Sequence, residues 1–283
     1  MLSIRALDSQ FDNHQLLINS MERLSIETDR EGICYGFTHI ITDEITQGKL
    51  LSVLNSLTAL ECLTLESWGN LAELKLLQQY YHELISILAK ISAAHSDQTQ
   101  NFAQFSGIYQ RHELKKYFSS LNKMAQCFRL TLPVAIILES GDHVIAITYL
   151  PDEKKWLAIE INNLPFFELK TANDFANFVL EAFESTETAT FSTQVKLSNN
   201  DKKLTQKFLQ YWQRTQDWKI IHAINPARTA RVDSHGYSWL MIATKMNDLV
   251  TVKNLLAQKA NPDQISRTGY ASLHVAVKRN NLP

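Results

Sequence analysis

Cysteine is sparse in this chain. Cys34, Cys62 and Cys127 are an odd set of three in 283 residues with no CxxC spacing, which argues against a disulfide framework and a cysteine-built zinc site and suits a reducing compartment. No apolar run approaches the ~18 residues a membrane span needs, and the N-terminal Met1-Leu2-Ser3-Ile4-Arg5-Ala6-Leu7-Asp8 lacks a secretory h-region. Charge is nearly balanced, with a formal net of −1, and basic runs such as Lys115-Lys116 are only two residues long. Binding to nucleic acid or to an anionic membrane therefore has no electrostatic basis. Two His-Glu pairs, His82-Glu83 and His112-Glu113, lack the second histidine four residues on that a zinc helix needs. No metal and no cofactor is expected.

Glycine is equally rare, 8 residues in all, against a usual ~7%. The few that remain mark two places. Gly32 and Gly36 bracket Cys34 in Gly32-Ile33-Cys34-Tyr35-Gly36-Phe37-Thr38, and Gly141 stands just before His143 in Ser140-Gly141-Asp142-His143-Val144. Gly236 and Gly269 belong to a second pattern near the C-terminus.

The hydrophobic fraction of 45% is that of a globular chain with a sizeable core. Residues 10–30 read as helical. Leu50 to Ala94 reads as two helices broken at Ser67-Trp68-Gly69-Asn70, and Glu113 to Gln126 as another. Phe128–Leu138, His143–Leu150 and Lys155–Asn162 then read as neighbouring antiparallel strands. A helix from Ala172 to Phe183 and a strand from Ala189 to Leu197 follow. The expected class is α+β, with a domain over 1–197 and a helical linker or cap over 198–232 that carries Trp212 and Trp218.

From Asp233 onward the sequence repeats. Gly236, Leu240 and Ala243 recur as Gly269, Leu273 and Ala276, each pair 33 residues apart, with Ala260-Asn261-Pro262 between them. This period and order resemble the ankyrin repeat, although both copies lack its Thr-Pro-Leu-His. The resemblance implies α-helical repeats over 233–283, the second incomplete, so a longer parent protein is expected. It also implies partner binding through the hairpin tips, around His235, Tyr237, Arg267 and Tyr270.

A cysteine attacks a carbonyl as thiolate, so it needs a helix N-terminus or an imidazole to lower its pKa. Gly32 permits a sharp entry into a helix running through Ile45, with Cys34 at its start and Gly36 leaving room for close approach of a substrate or a strand. His143, opening a strand, is placed to be the base. In Trp156-Leu157-Ala158-Ile159-Glu160-Ile161-Asn162, period-2 alternation puts Glu160 and Asn162 on one face, where a residue orienting the imidazole belongs; Glu160 is first choice and Asn162 second. Cys62 and Cys127 lie in apolar helical contexts and read as buried packing residues.

The order Cys34, His143, then an acid or amide on the next strand resembles papain-like cysteine proteases, and within them the bacterial effector group that includes the YopT proteases. His143-Val144-Ile145-Ala146-Ile147 matches that group's histidine strand. Ala158-Ile159-Glu160-Ile161-Asn162 matches its acid strand in part, with glutamate for aspartate and no proline. No glutamine shortly precedes Cys34 to complete an oxyanion hole. With ankyrin repeats appended, the chain resembles ankyrin-bearing effectors of Legionella. The resemblance implies a soluble protein delivered into host cytosol or nucleus without a signal peptide, a protein or peptide substrate, and a host protein as the repeats' partner. An inactive interaction scaffold, and a thiol-dependent deamidase, transglutaminase or acyltransferase, are the alternative readings.

Overall fold

The computed structural model describes residues 13–26, 33–64, 71–93, 104–128, 130–164, 166–197 and 202–280. Four helices come first: α1 (Asn13–Arg23), α2 (Ile33–Thr46), α3 (Leu50–Thr64) and α4 (Leu71–Ala93). Strand β1 (Gln104–Gln110) and helix α5 (Arg111–Cys127) lead into β2 (Val134–Glu139), β3 (Val144–Leu150), β4 (Lys155–Ile159) and β5 (Phe167–Leu169). Helix α6 (Ala172–Ala182) and β6 (Thr188–Leu197) close this part. The remaining helices are α7 (Lys202–Gln213), α8 (Gln216–Ile221), α9 (Pro226–Thr229), α10 (Trp239–Lys245), α11 (Leu249–Ala257) and α12 (Ser272–Lys278). The class is α+β, helices packed on one antiparallel sheet.

The sheet runs β1-β6-β2-β3-β4-β5 with every pair antiparallel. Its two faces are covered by different parts of the chain. Ile136, Leu138, Ile145, Ile147 and Phe191 face a core built with α5, α6, α7 and α8. The alternate residues Ile137, Val144, Ala146 and Ile159 face a second core with Phe37, Ile41 and Ile45 of α2. Thr38 fixes α2 in place by donating to the Val144 carbonyl at 3.1 Å. Farther along the same face, Ile108 of β1 packs against Trp239, Leu240 and Ala243 of α10, and the Trp239 indole N–H donates to Ser106 at 3.0 Å. Helix α2 and helix α10 thus lie on one sheet face.

Several boundaries differ from the sequence reading. Phe128 caps α5 rather than opening a strand, and β2 begins only after Pro133, whose missing N–H suits a position before the ladder. Strand β1 was not expected, because Gln104, Ser106 and Gln110 make it look polar. Within the expected linker or cap, Phe208, Trp212 and Ile221 are buried in the core of the α5 face. Trp212 and Trp218 lie on separate helices, α7 and α8, divided where Thr215 caps α8 by accepting from the Trp218 N–H. Arg228 of α9 ties this segment down, with its guanidinium against the buried carboxylate of Glu113 and on the Ile220 carbonyl at 3.0 Å.

The 33-residue pattern recurs in the folded chain. Asp233 N–H donates to the Tyr237 carbonyl and Ser266 N–H to that of Tyr270, at 3.1 and 2.9 Å. Gly236 and Gly269 turn these loops with φ of 78° and 82°, a region open to glycine at little cost. The two turns are joined by Arg267 N–H donating to the His235 carbonyl at 2.7 Å.

Gly36 is answered by a helix, not by a strand or a substrate. A Cβ there would lie 2.5 Å from the carbonyl oxygen of Ile91 on α4. Helix propensity alone favours Gly36→Ala by about 1 kcal/mol, but overpacking against a backbone atom that cannot rotate away costs about 1–3 kcal/mol. Gly36→Ala is therefore expected to be destabilising in urea denaturation. A variant at least as stable as the parent chain contradicts this close α2–α4 crossing.

Candidate active site

Cys34 is the second residue of α2, a helix of 14 residues, and is half-buried. Its thiol therefore sits in the first turn, where backbone N–H groups have no intrahelical partner and the helix dipole favours a negative charge. Gly32, expected to shape the entry to this helix, lies outside the described residues.

His143 is carried by the tight turn between β2 and β3. Ser140 closes that turn twice: its N–H donates to the His143 carbonyl at 2.9 Å, and its hydroxyl accepts from the His143 N–H at 3.0 Å. Glu160 follows the last residue of β4. Because β3 and β4 are antiparallel, the start of one adjoins the end of the other, which sets imidazole and carboxylate side by side. His143 Nε2 lies 3.0 Å from Glu160 Oε1, and the Cys34 thiol stands close enough to the imidazole to raise its pKa.

The structure thus brings Cys34, His143 and Glu160 together. Asn162 enters differently: its backbone N–H donates to Glu160 Oε1 at 2.9 Å. It steadies the carboxylate that steadies the imidazole. Glu160 is almost fully buried, so the hydrogen bonds it accepts are what make its burial tolerable.

Electrostatics set the proton on the imidazole. Burial works against the charged form of His143, but the hydrogen bonds and charges of Cys34 and Glu160 outweigh it and raise the pKa to about 9. At neutral pH the imidazole is then protonated beside the thiol, and a thiolate is its natural counter-ion.

Of the four residues expected to meet a partner, two are consumed inside the molecule. The Tyr237 ring lies over Gly141, where a Cβ would come within 2.0 Å of it. His235 is buried, with Nε2 3.3 Å from the Glu184 carbonyl and Nδ1 3.6 Å from Asp142. Arg267 and Tyr270, on the second turn, are exposed. Cys127, read as buried packing, is instead exposed at the end of α5. The Cys62 side chain lies outside the described set.

Other groups near the site had no sequence signal. Lys245, in the last turn of α10, donates to the Ser140 and Gly141 carbonyls at 2.8 and 3.2 Å. It also pairs with the buried Glu139 carboxylate at 2.9 Å. Burial disfavours the ionised form of Glu139, but Lys245 and Arg279 prevail and hold its pKa below the usual value. Among the described residues, no three His, Cys, Asp or Glu side chains converge as metal ligands, and no helix is long and apolar enough to cross a membrane. Comparison of the chain with family models, with curated proteins and with solved structures yields no match.

An NMR titration of the His143 ring is expected to give a midpoint near 9, lowered in Glu160→Gln. A folded value above the ordinary 6.5 means that this group's stabilising effect is complete below about pH 6.5 and fades as pH rises through about 9. A ring that titrates at or below 6.5 contradicts the assembly.

Proposed function

We propose that this chain is a thiol enzyme of papain-like type joined to ankyrin-type repeats, acting by acyl transfer through a thioester, with peptide-bond hydrolysis as its reaction. The observation that carries the proposal is the continuous chain of contacts from Cys34 through His143 to Glu160. Cys34 is the nucleophile, His143 the proton carrier, and Glu160, supported by Asn162, the group that orients the imidazole.

In this reading the Cys34 thiolate adds to the substrate carbonyl carbon. The carbonyl electron pair moves onto oxygen, where the N-terminal end of the α2 dipole is suited to receive it. The protonated His143 gives its proton to the leaving amine as the C–N bond breaks, leaving a thioester on Cys34 and a neutral imidazole. His143 then takes a proton from water, the resulting hydroxide attacks the thioester, and the acid product leaves with thiolate and imidazolium restored. Glu160, hydrogen-bonded to Nε2, holds the ring in place and favours its imidazolium form.

The repeats support a role in binding a protein partner, with exposed Arg267 and Tyr270 on the second turn as its contacts. The domain order further supports reading the chain as a bacterial effector that acts on host protein. Deamidation and transglutamination use the same thioester chemistry and differ in the substrate amide and acceptor.

A peptide carrying an irreversible electrophile tests the reading. It is expected to modify Cys34 in the parent protein, with labelling reduced roughly 10²- to 10⁴-fold in His143→Ala. Cys34→Ala is expected to keep the fold and lose all turnover. Peptide turnover that survives Cys34→Ala contradicts the proposal. If Cys34 resists the electrophile and no peptide is turned over, the interaction-scaffold reading replaces it.

A further inference from the structure

The turn that carries His143 is only partly satisfied by its own residues. Ser140 closes its inner side, but the Ser140 and Gly141 carbonyls point outward and need donors. Both are supplied by one side chain from a distant part of the sequence, the Lys245 ammonium, at 2.8 and 3.2 Å. The third acceptor of that ammonium is Glu139 at 2.9 Å, so all three of its N–H groups are used. The side chain is mostly buried, at 13% exposure, where charge-assisted hydrogen bonds are strong and their geometry is narrowly set.

The base from which Lys245 reaches is rigid. Helix α10 is anchored on β1 by the Trp239–Ser106 hydrogen bond and by burial of Leu240 and Ala243. A second hold comes from Tyr237, whose ring rests on Gly141 and whose carbonyl accepts from Thr190 at 3.1 Å. The turn is therefore gripped by two residues of the repeat-bearing segment, while the thiol it must face rides separately on α2.

We infer that the repeat-bearing segment is part of the thiol site, and that Lys245 is a positioning residue for His143, acting through the Ser140–Asp142 turn. This rests on the thiol-enzyme reading above. Lys245 touches no reacting atom. It sets where the imidazole stands relative to Cys34, and a displacement of about 1 Å there is enough to cost ~10²-fold.

The test is site-resolved alkylation of the full chain by iodoacetamide at pH 6, read by mass spectrometry, with exposed Cys127 as internal reference. In the parent protein Cys34 is expected to react faster than Cys127. Lys245→Met is expected to slow Cys34 by roughly 10- to 100-fold while leaving Cys127 unchanged, and to move the onset of Cys34 reactivity to higher pH. Lys245→Arg, which keeps a cation with several donors, is expected to recover most of the rate. A role in stability alone would shift the melting temperature without moving that pH onset.

If Lys245→Met does not fold, Lys245→Gln takes its place with the same expected loss. Fast Cys34 in the parent with an unchanged rate in the Met or Gln variant overturns the positioning role alone. A Lys245→Arg variant as slow as Lys245→Met also overturns it. Slow Cys34 in the parent overturns the thiolate reading and the positioning role with it.

Discussion

Strands β6 and β2 lie inside an antiparallel sheet, so both of their faces must be covered, and on one face the two covers come from opposite ends of the sequence. Helix α2 covers β2 and β3, and α10 covers β1 and β6. Apolar contact alone would let these helices slide over a smooth sheet. A buried polar seam between them fixes their positions: Glu139, Lys245, Lys196 and His39 are all buried or nearly so. A buried carboxylate is tolerated only with its partners in place. The Glu139–Lys245 pair therefore specifies one docking of the C-terminal helices more than it adds to stability.

The same physics assigns different protonation to three histidines. His39 is buried beside the Lys196 ammonium, and burial first, then that charge, lower its pKa to about 3. His222 is stacked on Trp218 at 3.8 Å, and burial brings it to about 3 despite its contact with the Trp218 carbonyl. His143 is buried too, yet rises to about 9 because its neighbours are a thiol and a carboxylate. Burial amplifies whatever charge stands nearby, and the fold has placed an acid beside one ring and a cation beside another. Of these three rings, His143 alone is held in a form that carries a proton at neutral pH.

Much of this assembly was legible because it depends on local pattern. Strand alternation put Glu160 on the side where the imidazole stands, and the helix after Ile33 put Cys34 in a first turn. The 33-residue spacing anticipated two glycine turns, and these carry matching backbone hydrogen bonds. What was missed depends on distant covering. Strand β1 looks polar because Ser106 has an indole for a partner, and Gly107 leaves space for the Tyr109 ring, whose hydroxyl reaches His222 at 2.8 Å. Trp212 and Phe208 could be read as a cap because nothing in their spacing says that they close the core over α5. The burial of His235 and Tyr237 was invisible for the same reason: a repeat read alone presents its hairpin tips to solvent, and only the folded chain shows Gly141 beneath one of them.

That last contact changes what the repeats are physically. In a free-standing stack each unit touches only its neighbours, and stability is close to a sum over units. Here the first unit has its tip on the His143 turn and its inner helix on the sheet, while the second unit is held mainly by the first. Its helix leaves Leu273 71% exposed, where the equivalent Leu240 is buried. The two units thus differ in how far the equivalent helix face is covered despite their common pattern. Opening of the second takes Arg279 away from the buried Glu139 carboxylate. Opening of the first removes the donors from the Ser140 and Gly141 carbonyls, uncovers Ile108 and Ser106, and strands the Glu139 carboxylate. Contacts of the first unit thus run across the boundary that sequence places at 233, from Trp239 to Ser106 and from Lys245 to the His143 turn.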